Sequence, residues 1–116
     1  MTNERSGLAV AGRARRARGL WQTVFGLHLV PPLQPGEGLL LPGATTIDTL
    51  FMGYPIDLVF LDRSARVTRV VASLRPWRLV FGSHGGRDCL ELPAGAAADS
   101  DTRPGDLVRI EPLEGI

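Results

Sequence analysis

A chain of 116 residues holds material for one hydrophobic core rather than two. An apolar fraction of 44% sets it apart from disordered polymers, and no run approaches the ~20 consecutive apolar residues of a membrane-spanning helix. Thirteen basic residues against twelve acidic ones give +1, so the whole molecule has no strong electrostatic pull toward nucleic acid or anionic membranes. One domain over residues 1–116 is expected, with residues 1–7 as a flexible end. Every basic residue is arginine, which with abundant alanine and glycine points to the coding bias of a GC-rich bacterial genome. The single cysteine, Cys89, excludes an intramolecular disulfide and a multi-cysteine metal cage. Met1-Thr-Asn-Glu-Arg-Ser carries no apolar core of a secretory signal, so a cytoplasmic location is expected.

Taken in chain order, a short strand is predicted around Leu8 to Ala11. From Ala14 to Leu27, the residues Ala17, Leu20, Trp21, Val24 and Phe25 recur at helical spacing, with Arg15, Arg16 and Arg18 on other arcs. This predicts an amphipathic helix, weakened by Gly19 by about 1 kcal/mol. The proline- and glycine-rich stretch from Val30 to Gly38 reads as a loop. Leu39-Leu-Leu then reads as a buried strand stopped by the Pro42-Gly43 turn.

Thr45 to Met52 and Ile56 to Asp62 are rich in β-branched and aromatic residues and are predicted to pair as a hairpin through Gly53-Tyr54-Pro55. A turn at Asp62 to Ala65 leads into a strand from Arg66 to Leu74, and another strand is predicted over Trp77 to Phe81. Gly82 to Arg87 reads as a loop and Asp88 to Leu92 as a strand. Pro93 to Asp99 fits one helical turn with proline at its first position. A Pro104-Gly-Asp turn precedes a last strand from Leu107 to Glu111. The pattern predicts a mainly β fold with a short N-terminal helix: a small barrel or sandwich of about six short strands.

Seven segments occur in a fixed order: Ala17-Arg-Gly-Leu, Glu37-Gly-Leu-Leu-Leu, Pro55-Ile-Asp-Leu-Val-Phe-Leu-Asp, Arg66-Val, Leu74-Arg-Pro-Trp, Leu90-Glu-Leu-Pro-Ala-Gly and Pro104-Gly-Asp. Together they resemble the uncharacterised domain-of-unknown-function 192 family over about residues 8 to 112. The resemblance implies a compact β-barrel-like domain with a short helix near its start, and no established activity. Members of that family commonly carry histidine or serine just before a Phe-Met or Trp-Met pair, where this chain has Asp48 ahead of Phe51-Met52. Many also have a Lys-Asn-Thr turn where this chain has Gly53-Tyr54, and many are exported.

Three acidic residues sit inside predicted strands. Asp57, between Ile56 and Leu58, reads either as an acid or base in a pocket or as a structural carboxylate that caps a loop amide or pairs with Arg75. Asp48 and Glu91 are the other two. With Asp57 they form the candidate catalytic set, to which His84 on the 82–87 loop is added, and together the three carboxylates could hold Mg²⁺ or Ca²⁺. No loop has the dense alternating carboxylates of a dedicated site, so no metal and no other cofactor is expected. Arg75, Trp77 and Arg78 are candidate ligand-binding residues, since guanidinium and indole groups together suit an anionic or aromatic ligand. Arg13, Arg15, Arg16 and Arg18 are candidates for nucleic-acid contact, against which the near-neutral net charge argues. The favoured reading is a non-enzymatic accessory module for an unidentified protein or small molecule. The alternatives are a carboxylate-dependent, metal-assisted hydrolase or lyase, and nucleic-acid binding through the N-terminal arginines.

Overall fold

Ile56-Asp-Leu-Val-Phe-Leu is one carboxylate in a run of large apolar residues, and all six are buried. A strand whose apolar residues do not alternate with polar ones must be covered on both faces, which places it inside a sheet sandwiched between other layers. The computed structural model describes residues 1–17, 33–48, 53–82, 85–111 and 114–115, with Asp48, Glu114 and Gly115 as backbone. Its elements are β1 (Thr2–Asn3), β2 (Arg13–Arg16), β3 (Glu37–Leu41), β4 (Thr46–Asp48), β5 (Ile56–Leu61), β6 (Val67–Leu74), β7 (Leu79–Phe81), β8 (Asp88–Pro93), α1 (Ala96–Asp99), β9 (Val108–Arg109) and β10 (Glu114–Gly115).

The fold is mainly β, as the sequence predicts. The principal sheet has six strands in the order β10-β2-β3-β8-β5-β6, open at β10 and β6, so no closed barrel forms among the described residues. β10–β2 and β2–β3 are parallel, and the other pairs are antiparallel. Two-stranded ladders β4–β7 and β1–β9 lie outside it. Among the described residues no helix is long and apolar enough to cross a membrane.

Alternation along the central strands splits the core into two layers. Leu39, Leu41, Ile56, Leu58, Phe60 and Cys89 face one side, where Ile47 of β4 and Val80 of β7 cover them. Leu40, Val59, Leu61, Leu90 and Leu92 face the other, beneath Val10, Ala11, Val67, Ala97 and Val108. Gly38 is part of that second closure: a Cβ there would stand 3.1 Å from both Ala11 Cβ and Leu92 Cδ2, tighter than ordinary packing allows.

Four predicted elements change. The helix over Ala14 to Leu27 does not begin as one, because Arg13–Arg16 is strand β2, its ends tied by Arg13 N to Gly36 O (2.8 Å) and Ala17 N to Leu40 O (2.9 Å). Residues 18–27 lie outside the described set. Ladder pairing with β3 overrides the helical preference of alanine and arginine. The Thr45–Asp62 hairpin is not formed either. β4 pairs with β7, in the register Ile47 to Val80, while β5 takes β8 and β6 as neighbours. The true hairpin is β5–β6, whose turn is held by Asp62 Oδ1, an acceptor for the amides of Ser64 (2.8 Å) and Arg66 (3.0 Å). Pro93 closes β8 instead of opening a helix, and Gly95, at φ 97°, leads into α1. Leu8 to Ala11 contributes a single bridge, Ala9 to Thr2.

Residues 1–7, read from sequence as a flexible end, carry β1 and a buried polar network. Asn3 is fully buried; its Nδ2 donates to Asp106 Oδ2 (2.9 Å) and its Oδ1 accepts from the amides of Arg5 (2.9 Å) and Ser6 (3.2 Å). Arg5 Nε donates to Asp106 Oδ1 (2.7 Å), and the amide of Arg103 donates to Asp106 Oδ2 (2.9 Å). The Arg5 hydrogen bond, helped by Asn3 and the Arg103 amide, holds the Asp106 carboxyl well below the usual carboxylate range against the opposing effect of burial.

Candidate functional site

Asp57 is fully buried on the layer of the sheet that faces α1. Its Oδ1 accepts from the amide of Ser73 (2.8 Å), and its Oδ2 from the amides of Gly95 (3.1 Å) and Ala97 (2.9 Å). Ser73 lies at φ 51° beside an irregular step in the β5–β6 register, so its amide turns toward the carboxylate. Gly95 and Ala97 present amides at the start of α1 that have no partner inside so short a helix. One carboxylate thereby ties β5, β6 and α1 together. Of the two structural roles open to Asp57 from sequence, amide capping is the one observed.

Glu91 is also buried, 3% exposed, but on the opposite face. It stands beside Leu58 in the β5–β8 register, whereas Asp57 stands beside Leu92, and neighbouring residues on a strand project to opposite sides. Asp57 and Glu91 therefore do not share a pocket. On the Glu91 side, burial pushes the Tyr54 hydroxyl pKa up, and the Glu91 carboxylate adds to the shift. Tyr54 Oη is enclosed and makes no hydrogen bond among the described residues. Burial first, then Glu91 and Asp88, push the Cys89 thiol up, which leaves it a poor source of thiolate. Among the described residues no group of three or more His, Cys, Asp or Glu is arranged to hold a metal ion. Asp48 is placed as the last residue of β4, opposite Leu79. His84 and Arg18 lie outside the described residues.

The predicted ligand-binding trio borders β7. Trp77 is 58% exposed, and Arg75 and Arg78 are exposed beside it. The strand predicted over Trp77 to Phe81 forms as β7, and what sequence reasoning missed is its outer face: Val80 turns inward, while Leu79 and Phe81 are 58% and 61% exposed on the other face of the β4–β7 ladder. Phe81 and Thr46 are paired without mutual hydrogen bonds, since Gly82 N bonds to Thr45 O, so the Phe81 carbonyl points away from β4. Arg69 reaches it with Nη1. A signal for this surface was present in the sequence. Residues 63–87 contain Arg63, Arg66, Arg69, Arg75, Arg78 and Arg87 and no acidic residue, a local excess that the +1 total conceals. The N-terminal arginines behave differently: Arg13, Arg15 and Arg16 are exposed, but alternation along β2 sends Arg13 and Arg15 to one side and Arg16 to the other.

A family model described as DUF192, Uncharacterized ACR, matches residues 1–110. The chain belongs to the domain-of-unknown-function 192 family. Curated relatives of this family member include a UPF0127 protein of Thermococcus sibiricus, 29% identical over 93% of this chain and 72% of its own length. Another is a UPF0127 protein of Pyrococcus abyssi, 31% identical over 91% of this chain and 92% of its own. The fold is similar to that of a crystallised protein of unknown function from Novosphingobium aromaticivorans, with a TM-score of 0.73 at 24% identity, covering 84% of this chain and 74% of that one. A protein from Sinorhizobium meliloti gives a TM-score of 0.71 at 22% identity, covering 81% and 78%. Both likenesses speak for the fold that this member of the domain-of-unknown-function 192 family adopts.

Proposed function

We propose that the chain is a non-enzymatic binding module of the bacterial cytoplasm. It docks an extended partner-protein segment, carrying both acidic and apolar side chains, on the outer face of the β4–β7 ladder. The observation that carries this reading is the exposure of Trp77, Leu79 and Phe81 within five residues, beside a buried Val80. Single exposed leucines are ordinary, whereas large apolar side chains clustered on a strand and the turn that leads into it are a mark of interaction surfaces. Trp77 also sits at φ 64°, a left-handed conformation that costs a side chain of this size about 1 kcal/mol, and its indole gains little burial in exchange.

Arg69, Arg75 and Arg78, in a span without acidic residues, give the surface its sign and hence the partner its charge. Arg69 on the Phe81 carbonyl blunts the outer edge of β7, which favours contact with the side-chain face over addition of another strand. The hydrolase or lyase alternative draws little support from Asp57 and Glu91, which project to opposite layers. Nucleic-acid binding through Arg13, Arg15 and Arg16 is weakened by their division between two faces.

A peptide of alternating glutamate and leucine, titrated against ¹⁵N-labelled protein, tests the proposal. Perturbations centred on residues 75–81, abolished in a Leu79→Ser/Phe81→Ser variant of unchanged melting temperature, are expected. Perturbations confined to β2, or none at millimolar peptide, would sink it.

A further inference from the structure

A second electropositive feature is built from other residues than the apolar face. The turns at Pro42-Gly43, Asp62 to Ala65 and Gly85 to Arg87 enclose an open depression of about 480 Å³, lined by Gly43, Thr45, Arg63, Gly85, Gly86 and Arg87. Among the described residues the lining holds two guanidiniums, a threonine and three glycines, and no carboxylate. The nearest acidic residues in the chain, Asp62 and Asp88, are turned to structural use. Asp62 Oδ1 takes the amides of Ser64 and Arg66, and Asp88 Oδ1 takes the amide of Gly43 at 2.9 Å. Among the described residues neither Arg63 nor Arg87 has a carboxylate partner.

The backbone fixes this arrangement. The amide of Arg87 donates to Leu61 O (2.8 Å), which docks the 85–87 segment against the end of β5 just before the Asp62 turn that carries Arg63. Two arginines on separate chain segments are thus brought to one concavity by main-chain bonds that do not depend on their side chains. A Cβ at Gly43 or Gly85 would meet nothing within 4 Å, so both backbones border open space.

We propose that this depression is a binding site for a phosphate-type oxyanion, held by the Arg63 and Arg87 guanidiniums with the Thr45 hydroxyl in reach of the same space. Guanidinium groups match the tetrahedral oxygens of a phosphate by paired, charge-assisted hydrogen bonds, and two of them balance its double negative charge. The glycines leave room for the anion to approach the main chain. A free phosphate group and the carboxylates of a di- or tricarboxylic acid share much of this chemistry, and phosphate is preferred because its tetrahedral oxygens can take paired hydrogen bonds from both guanidiniums that line the depression.

The test titrates inorganic phosphate, and in parallel succinate, at constant ionic strength while amide resonances are followed. Saturable shifts confined to residues 43–45, 61–64 and 85–88 are expected for phosphate, with at least tenfold weaker binding in Arg63→Gln and in Arg87→Gln. Arg87→Lys, which keeps the charge, should recover part of the affinity. The Leu79→Ser/Phe81→Ser variant should bind phosphate unchanged, so that failure here and failure of the docking surface are told apart. Tighter binding of succinate than of phosphate, shifts that grow linearly at arginines all over the surface, or glutamine variants that bind as well as the parent protein would each overturn the assignment.

Discussion

Replacing Asp57 by alanine removes the acceptor of three amides at once, and the geometry sets the size of the effect. The Ala97 amide is buried and has no other acceptor in view, while those of Ser73 and Gly95 lie nearer solvent. A buried donor left without a partner costs about 1 to 3 kcal/mol, and the two outer amides recover part of their loss from water, so a destabilisation of about 3 to 4 kcal/mol is expected. Against a total stability of about 5 to 15 kcal/mol this is large but not enough to abolish folding. Urea unfolding followed by tryptophan fluorescence reads it directly. With a slope of about 2 kcal/mol per molar the midpoint falls by about 1.5 to 2 M, at unchanged slope. Asp57→Asn, which keeps one acceptor oxygen, should lie about halfway between. A midpoint that moves by less than about 0.5 M in Asp57→Ala, or that rises, would refute the capping role, since removing a carboxylate held for chemistry at a strained site tends to stabilise.

Other consequences are accessible to simple measurements. The Asp106 carboxyl has its folded pKa depressed, so the stability it contributes is fully present above the unfolded carboxylate value of about 4 and is lost as pH falls below that value. The parent protein should therefore lose stability faster than Asp106→Asn between about pH 4 and pH 2, and parallel pH profiles from thermal melts would contradict the network. Gly38→Ala forces a methyl against Ala11 and Leu92, an overpacking cost of about 1 to 3 kcal/mol, read as a melting temperature lower by about 4 to 12 °C. A Gly38→Ala protein as stable as its parent would mean that the two layers are looser than their geometry. Trp77→Gly relieves a left-handed side chain and should leave stability equal or up to about 1 kcal/mol higher while weakening peptide binding. A clear loss of stability would instead make the indole a structural anchor.

The parts of this fold that were legible in the sequence are those whose signal is local. β3, β5, β6 and β8 are apolar or β-branched runs bounded by turn residues, and they form where the runs lie. Pairing is another matter. Gly53-Tyr54-Pro55 has the composition of a tight turn, but its flanking strands find better partners elsewhere: β5 needs cover on both edges to bury six residues, and β4 finds Val80 thirty-odd positions away. No short-range pattern encodes such a choice. The role of Asp57 was half legible. A carboxylate between Ile56 and Leu58 announces a partner, but backbone amides carry no side-chain signature, so Arg75 drew attention that Ser73, Gly95 and Ala97 should have had. The arginine-rich, acid-free span from 63 to 87 was fully legible and was hidden only by averaging charge over the whole chain.

The Asn3–Asp106 hydrogen bond joins positions 103 residues apart. The strands β2 to β8 can be paired before that contact exists, because none of them pairs with β1. The bond needs the chain to be present through Asp106, so a nascent chain still lacking that stretch holds Asn3, Arg5 and the β1 edge without their partners. Closing a loop of this length is entropically costly and favours contacts formed last. The clasp is therefore a seal on the already paired strands β2 to β8, and the order of synthesis, not only the order of stability, places it after them.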